Sequence, residues 1–177
     1  GNHGYSVARL LAASAAAPTY FDQRLIQIAP DQVGTFVDGG LSPHSDPSLA
    51  LLQIARLKAY GLEWPANADD LFILSLGTGK YRARIAPEEA ARLRPISLAY
   101  HAMRGMVTDV ELQTLTIMQW LGTSKHPTLV NSEIGSLEHD HLGPEPAFSF
   151  LRLDLPLEHE GLASLGIEVP KDQLKRY

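Results

Sequence analysis

Asp38 is followed directly by Gly39 and Gly40, and the residues before it, Thr35-Phe36-Val37, are of β-favouring type. A carboxylate delivered by a strand into a glycine turn is placed to accept a proton from a hydroxyl nucleophile, or to orient that hydroxyl. In open α/β sheets, reactive groups gather at the carboxyl ends of the strands. Gly39 and Gly40 permit a sharp turn or a close approach of backbone to a substrate. The competing reading is ordinary turn chemistry, in which an aspartate bonds its own backbone. His44 either lines such a site or belongs to the loop ahead of the next helix.

Three other constellations are weaker. Gly77-Thr78-Gly79-Lys80 suggests a phosphate loop, but that pattern needs a Ser or Thr after the Lys, and Tyr81 stands there. A dinucleotide fingerprint fails as well, because Arg82 occupies the third glycine position. The segment reads as a strand-ending turn. Glu138-His139-Asp140-His141 offers imidazoles and carboxylates to a divalent metal, yet no further ligands at a known spacing accompany it, so it reads as a solvated polar loop. No metal and no cofactor is expected. His101, within a helical stretch, reads as structurally satisfied.

The elements that must carry these residues alternate. Ser6 is an N-cap for an Ala-rich helix, and Pro18 halts it. Tyr5–Ala17 imitates a secretory signal, but its apolar stretch is short and made of Ala, so the helix is preferred. Leu25, Ile26 and Ile28 mark a short strand, Pro30-Asp31-Gln32 a turn, and Thr35–Asp38 a second strand. Asp46-Pro47 starts a helix that runs to about Tyr60, with Gly61 as its left-handed stop. Leu71–Leu76 is a continuous apolar run, expected to be a strand buried on both faces. Strand, helix and strand over Thr35–Leu76 predict a right-handed βαβ unit with parallel pairing. Ile96–Leu121 is one long helix ended by Gly122, whose stripe of apolar residues, Met103, Met106 and Met118 included, is expected to be core. Phe148–Leu155 is a late strand, followed by a tail holding one short helix.

Composition bounds the function classes. The 177 residues carry a net charge of −5, with 15 Lys+Arg against 20 Asp+Glu, which disfavours nucleic acid as a partner. With 0 Cys, a thiol nucleophile, a zinc finger and a disulfide scaffold are excluded. Hydrophobic residues at 45% and charged residues at 20% describe an ordinary folded domain. The fold class is α/β, a mostly parallel sheet with helices on both faces. Residues 1–121 form its βαβ region and long helix, and 122–177 its loop, late strand and tail.

Several blocks together resemble a known family. Ala13-Ser14-Ala15-Ala16-Ala17-Pro18-Thr19-Tyr20-Phe21, then Phe36-Val37-Asp38-Gly39-Gly40-Leu41, then Asp46-Pro47-Ser48-Leu49-Ala50, then Leu74-Ser75-Leu76-Gly77-Thr78-Gly79 look like successive blocks of the patatin-like phospholipases, in order and spacing. Trp120-Leu121-Gly122, Ser132-Glu133-Ile134-Gly135 and Leu151-Arg152-Leu153-Asp154 are similar to some bacterial members. The resemblance implies a three-layer α/β/α sandwich and lipid acyl hydrolysis by a Ser-Asp dyad, without histidine or cofactor. Asp38 takes the aspartate position; Gly39, Gly40 and His44, close to it in sequence, are the residues expected to line the site.

The chain also departs from that pattern. Pro43-His44-Ser45-Asp46-Pro47 replaces the N-N-P found in many members. No G-x-S-x-G and no Gly-rich oxyanion turn precede Asp38. Gly122-Thr123-Ser124-Lys125-His126 opens like the nucleophile block, but it lacks the final glycine and follows a helix, so it reads as a helix cap. The resemblance therefore implies the C-terminal part of a patatin-like domain whose serine lies upstream. The partners then expected are a lipid or ester substrate, peripheral contact with a membrane, and the missing N-terminal part or a second copy covering exposed faces. The cytoplasm is the favoured compartment. The alternatives are a patatin-like binding or regulatory module without activity, and a nucleotide-binding α/β domain resting on Gly77-Thr78-Gly79.

Overall fold

A computed structural model of the chain describes residues 4–18, 20–80 and 85–169. Thr19 of the Ala-rich block, Tyr81 and Arg82, and the end of the tail, 170–177, lie outside the described residues. The fold is mixed α/β and divides into two compact units, Gly1–Pro47 and Ser48–Tyr177.

In the first unit, α1 (Val7–Ser14) begins where Ser6 Oγ accepts the Arg9 N–H, as the sequence predicts, and ends before Pro18, with the Ala15 N–H closing on Leu11 O. β1 (Arg24–Ala29) and β2 (Gln32–Phe36) form an antiparallel hairpin about the Pro30-Asp31 turn. Tyr5 Oη donates to Gln27 O at 2.7 Å and the Arg9 guanidinium to Leu25 O at 3.3 Å, which tie the start of α1 to β1. Ala13, Ala16 and Ile26 are buried apolar residues of this unit.

The hairpin corrects the predicted βαβ unit. β2 pairs with β1, and β3 (Phe72–Leu76) pairs with β4 (Ser149–Leu153) instead of β2. Pro30-Asp31 supplies the two-residue turn that pairs β1 with β2 locally. β2 ends at Phe36, two residues short of the predicted end, so Asp38 follows the strand's carboxyl end with Val37 between.

In the second unit, β3 and β4 are parallel, with Ile73 opposite Phe150 and Ser75 opposite Arg152. α2 (Ser48–Arg56) is shorter than predicted; the chain passes through a 3-10 turn at Lys58–Tyr60 to Gly61, which has φ 70° and is the expected left-handed stop. α3 (Pro87–Ala90) is a single turn, α4 (Pro95–Leu121) is the long helix, and α5 (His159–Ser164) is the short helix of the tail. Ala55 of α2, Leu115 and Met118 of α4, and Ile73 and Phe150 of the strands share one core with Leu71, Val130 and Phe148. Phe148 and Phe150 meet edge to face, ring centroids 6.5 Å apart.

Two expectations about burial are overturned. β3 alternates, with Ile73 and Ser75 inside and Phe72, Leu74 and Leu76 exposed. A single layer covers one face of this strand, where the apolar run had suggested two. The methionine stripe of α4 splits: Met118 is fully buried, whereas Met103 and Met106 are 60% and 66% exposed. The helix is longer than the core it packs on. Met118→Ala is therefore expected to cost about 2–5 kcal/mol of unfolding free energy. Met103→Ala should change it by less than about 0.5 kcal/mol. Urea unfolding of the two variants checks this contrast, and equal losses would contradict it.

The loop after α4 is organised by one side chain. Gln119 is buried; its Nε2 donates to Thr128 O and to Ser136 O, each at 2.8 Å, and its Oε1 accepts the Thr128 N–H at 2.7 Å. Gly135, at φ 65°, and Asn131, whose Oδ1 accepts the Glu133 and Ile134 N–H groups, close the turn between those anchors.

Candidate active site

Asp38 is half-buried and held at both ends of the residue. Its N–H donates to Ala16 O at 3.0 Å, which fixes its backbone to the exit of the Ala-rich helix. Its Oδ1 accepts the Gly40 N–H at 2.6 Å and caps the 3-10 turn Gly39–Leu41. Among the described residues, Oδ2 accepts no hydrogen bond, so one oxygen shapes the turn and the other is available to an incoming group.

The two glycines do not serve the purpose their type suggests. Neither Gly39 nor Gly40 has a positive φ. A Cβ on Gly40 would stand 3.1 Å from Asp38 Oδ1, so glycine there leaves room for the carboxylate; a Cβ on Gly39 would meet His44 Cβ at an ordinary 3.8 Å. Ser42 Oγ donates to Gly39 O at 2.7 Å and accepts the His44 N–H at 3.2 Å. His44 is thereby folded back beside Gly39 with an exposed side chain. The structure brings Asp38, Gly39, Gly40 and His44 into one local turn.

Beside this turn, an open cleft of about 470 Å³ is lined by Ala16, Pro18, Tyr20, Phe21, Arg24 and Val37, among others. Its wall contains the residue before Asp38 and the Tyr20-Phe21 pair of the Ala-rich block, both of whose rings are largely exposed. Asp38 itself does not line it.

Scans against protein-family models, curated proteins and solved structures returned no match.

The carboxyl ends of β3 and β4 hold a charge-paired polar cluster. Asp154 Oδ2 accepts from Arg152 Nη2 at 2.8 Å and lies 3.6 Å from Lys80 Nζ; Arg152 Nη1 also donates to Ser75 Oγ at 2.7 Å. Asp154 Oδ1 accepts the N–H groups of Gly79 and Leu155 at 3.1 and 3.0 Å. Burial by itself would raise the Asp154 pKa, but the hydrogen bond from Arg152, the Arg152 and Lys80 charges and the Leu155 N–H together hold it below the ordinary carboxylate value.

This cluster accounts for the Gly77-Thr78-Gly79-Lys80 turn. A Cβ on Gly77 would run into the Asp154 carboxylate, and Gly79 adopts φ 102°. The N–H groups of Gly77, Gly79 and Lys80 are already given to Leu153 O, Asp154 Oδ1 and Leu155 O. A phosphate needs those donors free. The nucleotide-binding reading therefore loses its structural basis. The Arg152–Asp154 pair was not singled out from sequence; opposite charges two residues apart, hence on one side of an apolar strand, were its available signal.

Of the remaining candidates, Gly122 is the C-cap of α4, its N–H donating to Met118 O, as the cap reading expects. His101 is half-buried beside the Tyr100 ring. Among the described residues no group of three or more His, Asp or Glu is arranged to hold a metal ion, the 138–141 loop included. No helix among them is long and apolar enough to cross a membrane.

Proposed function

We propose that this chain is the C-terminal part of a patatin-like lipid acyl hydrolase, in which Asp38 is the aspartate of a Ser-Asp dyad. The serine, in a G-x-S-x-G block, comes from outside these 177 residues. The observation that carries the reading is the division of labour at Asp38: Oδ1 is committed to the Gly40 N–H, and Oδ2 is not committed among the described residues. A carboxylate fixed in this way can accept the serine proton as the serine oxygen attacks an ester carbonyl. The acyl group passes to serine, the alcohol leaves with a proton, and water later releases the acid. The three-layer α/β/α sandwich belongs to the same proposal, supported by the parallel β3–β4 pair and the helix α4 packed on it. The reading needs no cofactor. It is tested by ester hydrolysis in the natural protein that carries the serine block, with and without Asp38→Asn.

A further inference from the structure

The exposed half of α4 carries an inference independent of the hydrolase reading. Ile96, Tyr100, Met103 and Met106 are between 59% and 85% exposed. At 3.6 residues per turn they fall within an arc of about 120° on one side of the helix. The same side continues through Val107, Val110 and Thr114 to Met118, which is fully buried in the core. An apolar stripe thus leaves the core and runs on, uncovered. Leu98 is also exposed but lies off that side.

Charge says what fits it. Residues 90–108 contain Arg92, Arg94 and Arg104 and no Asp or Glu, in a chain whose net charge is −5. The acidic residues that flank this stretch in sequence are Glu88 and Glu89 before it and Asp109 and Glu111 after it. Among the described residues none of these arginines is in an ion pair. Arg104 borders the stripe, one turn beyond Tyr100. Arg92 and Arg94 stand at the positive end of the helix dipole, where cations are unfavourable unless an anion answers them. Pairing with a second copy through this face would set arginines against arginines. A nucleic acid would leave the apolar arc unsatisfied. A bilayer containing anionic lipid answers both features, the acyl boundary taking the arc and the headgroups the guanidinium groups.

We propose that the N-terminal half of α4 is an interfacial helix that docks on anionic lipid surfaces, lying on the membrane without crossing it. The test is co-sedimentation of the natural protein that contains this chain with phosphatidylcholine vesicles, with and without phosphatidylserine. Binding should require phosphatidylserine and weaken as salt rises. Replacing Arg92, Arg94 and Arg104 by Gln should weaken it about fivefold per arginine. An Ile96→Ser/Tyr100→Ser/Met103→Ser variant should lose it. All these side chains are more than a third exposed, so circular dichroism and the urea midpoint should match the parent chain. No binding, or binding indifferent to these substitutions, overturns the proposal. So does a lipid-free dimer, seen by sedimentation equilibrium, that the triple Ser variant dissociates. Binding is read without turnover, so its failure leaves the Asp38 proposal standing, and failure at Asp38 leaves this one standing.

Discussion

Asp38→Asn, in the natural protein that supplies the serine, is expected to lower kcat for ester hydrolysis by about a hundredfold to ten-thousandfold, the range that a positioned general base contributes. The substitution keeps shape and size. An Asn carbonyl oxygen can still accept the Gly40 N–H that Oδ1 accepts now, and the backbone bond to Ala16 O is unaffected. The 3-10 turn should therefore persist, and the loss should fall on kcat with the thermal midpoint nearly unchanged. Gly40→Ala makes the useful comparison. It brings a Cβ to 3.1 Å from Asp38 Oδ1 and displaces the carboxylate without neutralising it. Activity that survives Asp38→Asn undiminished removes the dyad assignment; activity that is lost only together with the fold reduces Asp38 to a turn residue.

Asp154→Ala is expected to be the most destabilising polar change in the second unit, by about 3–5 kcal/mol. The side chains of Asp154 and Arg152 are 8% and 7% exposed, so removing the carboxylate takes the anionic partner from a buried guanidinium that keeps its bond to Ser75 Oγ, and takes the acceptor from Gly79 and Leu155. Replacing both partners by apolar residues should recover much of the loss, which a double-mutant cycle in urea would measure. The pH dependence has a definite sign. Because the folded carboxyl is held below its ordinary value, its contribution is present above the unfolded pKa of about 3.9 and is lost as pH falls through the lower folded value. The urea midpoint of the parent chain should therefore fall more steeply on acidification below that point than that of Asp154→Ala. Parallel profiles would show that the pair carries no such linkage.

What the sequence made legible was mostly local. The Ser6 cap, the Gly61 stop, the Gly122 cap and the extent of α4 depend on neighbours within a turn or two, and the structure shows all four. Pairing was not legible. The hairpin turn competed with a crossover that fitted the same run of elements. Burial failed for a related reason: an apolar run such as Phe72–Leu76 states which residues are able to be buried, not how many layers are present to bury them. At the site, sequence pointed to Asp38 and its glycines, but the split use of the two carboxylate oxygens depends on geometry. Gln119 gave no warning either, because a polar residue in a helix usually faces water, and this one faces a loop that sequence left unstructured.

That glutamine changes how the region must come apart. Holding both Thr128 and Ser136 from one point on α4, it leaves the loop no cheap local fluctuation: opening strips a buried amide of its partners. Fraying the end of the helix carries the same penalty. Loop and helix end therefore form one cooperative unit, whose amides exchange with solvent together, and a segment that counts as irregular by shape belongs, by its energetics, to the helix.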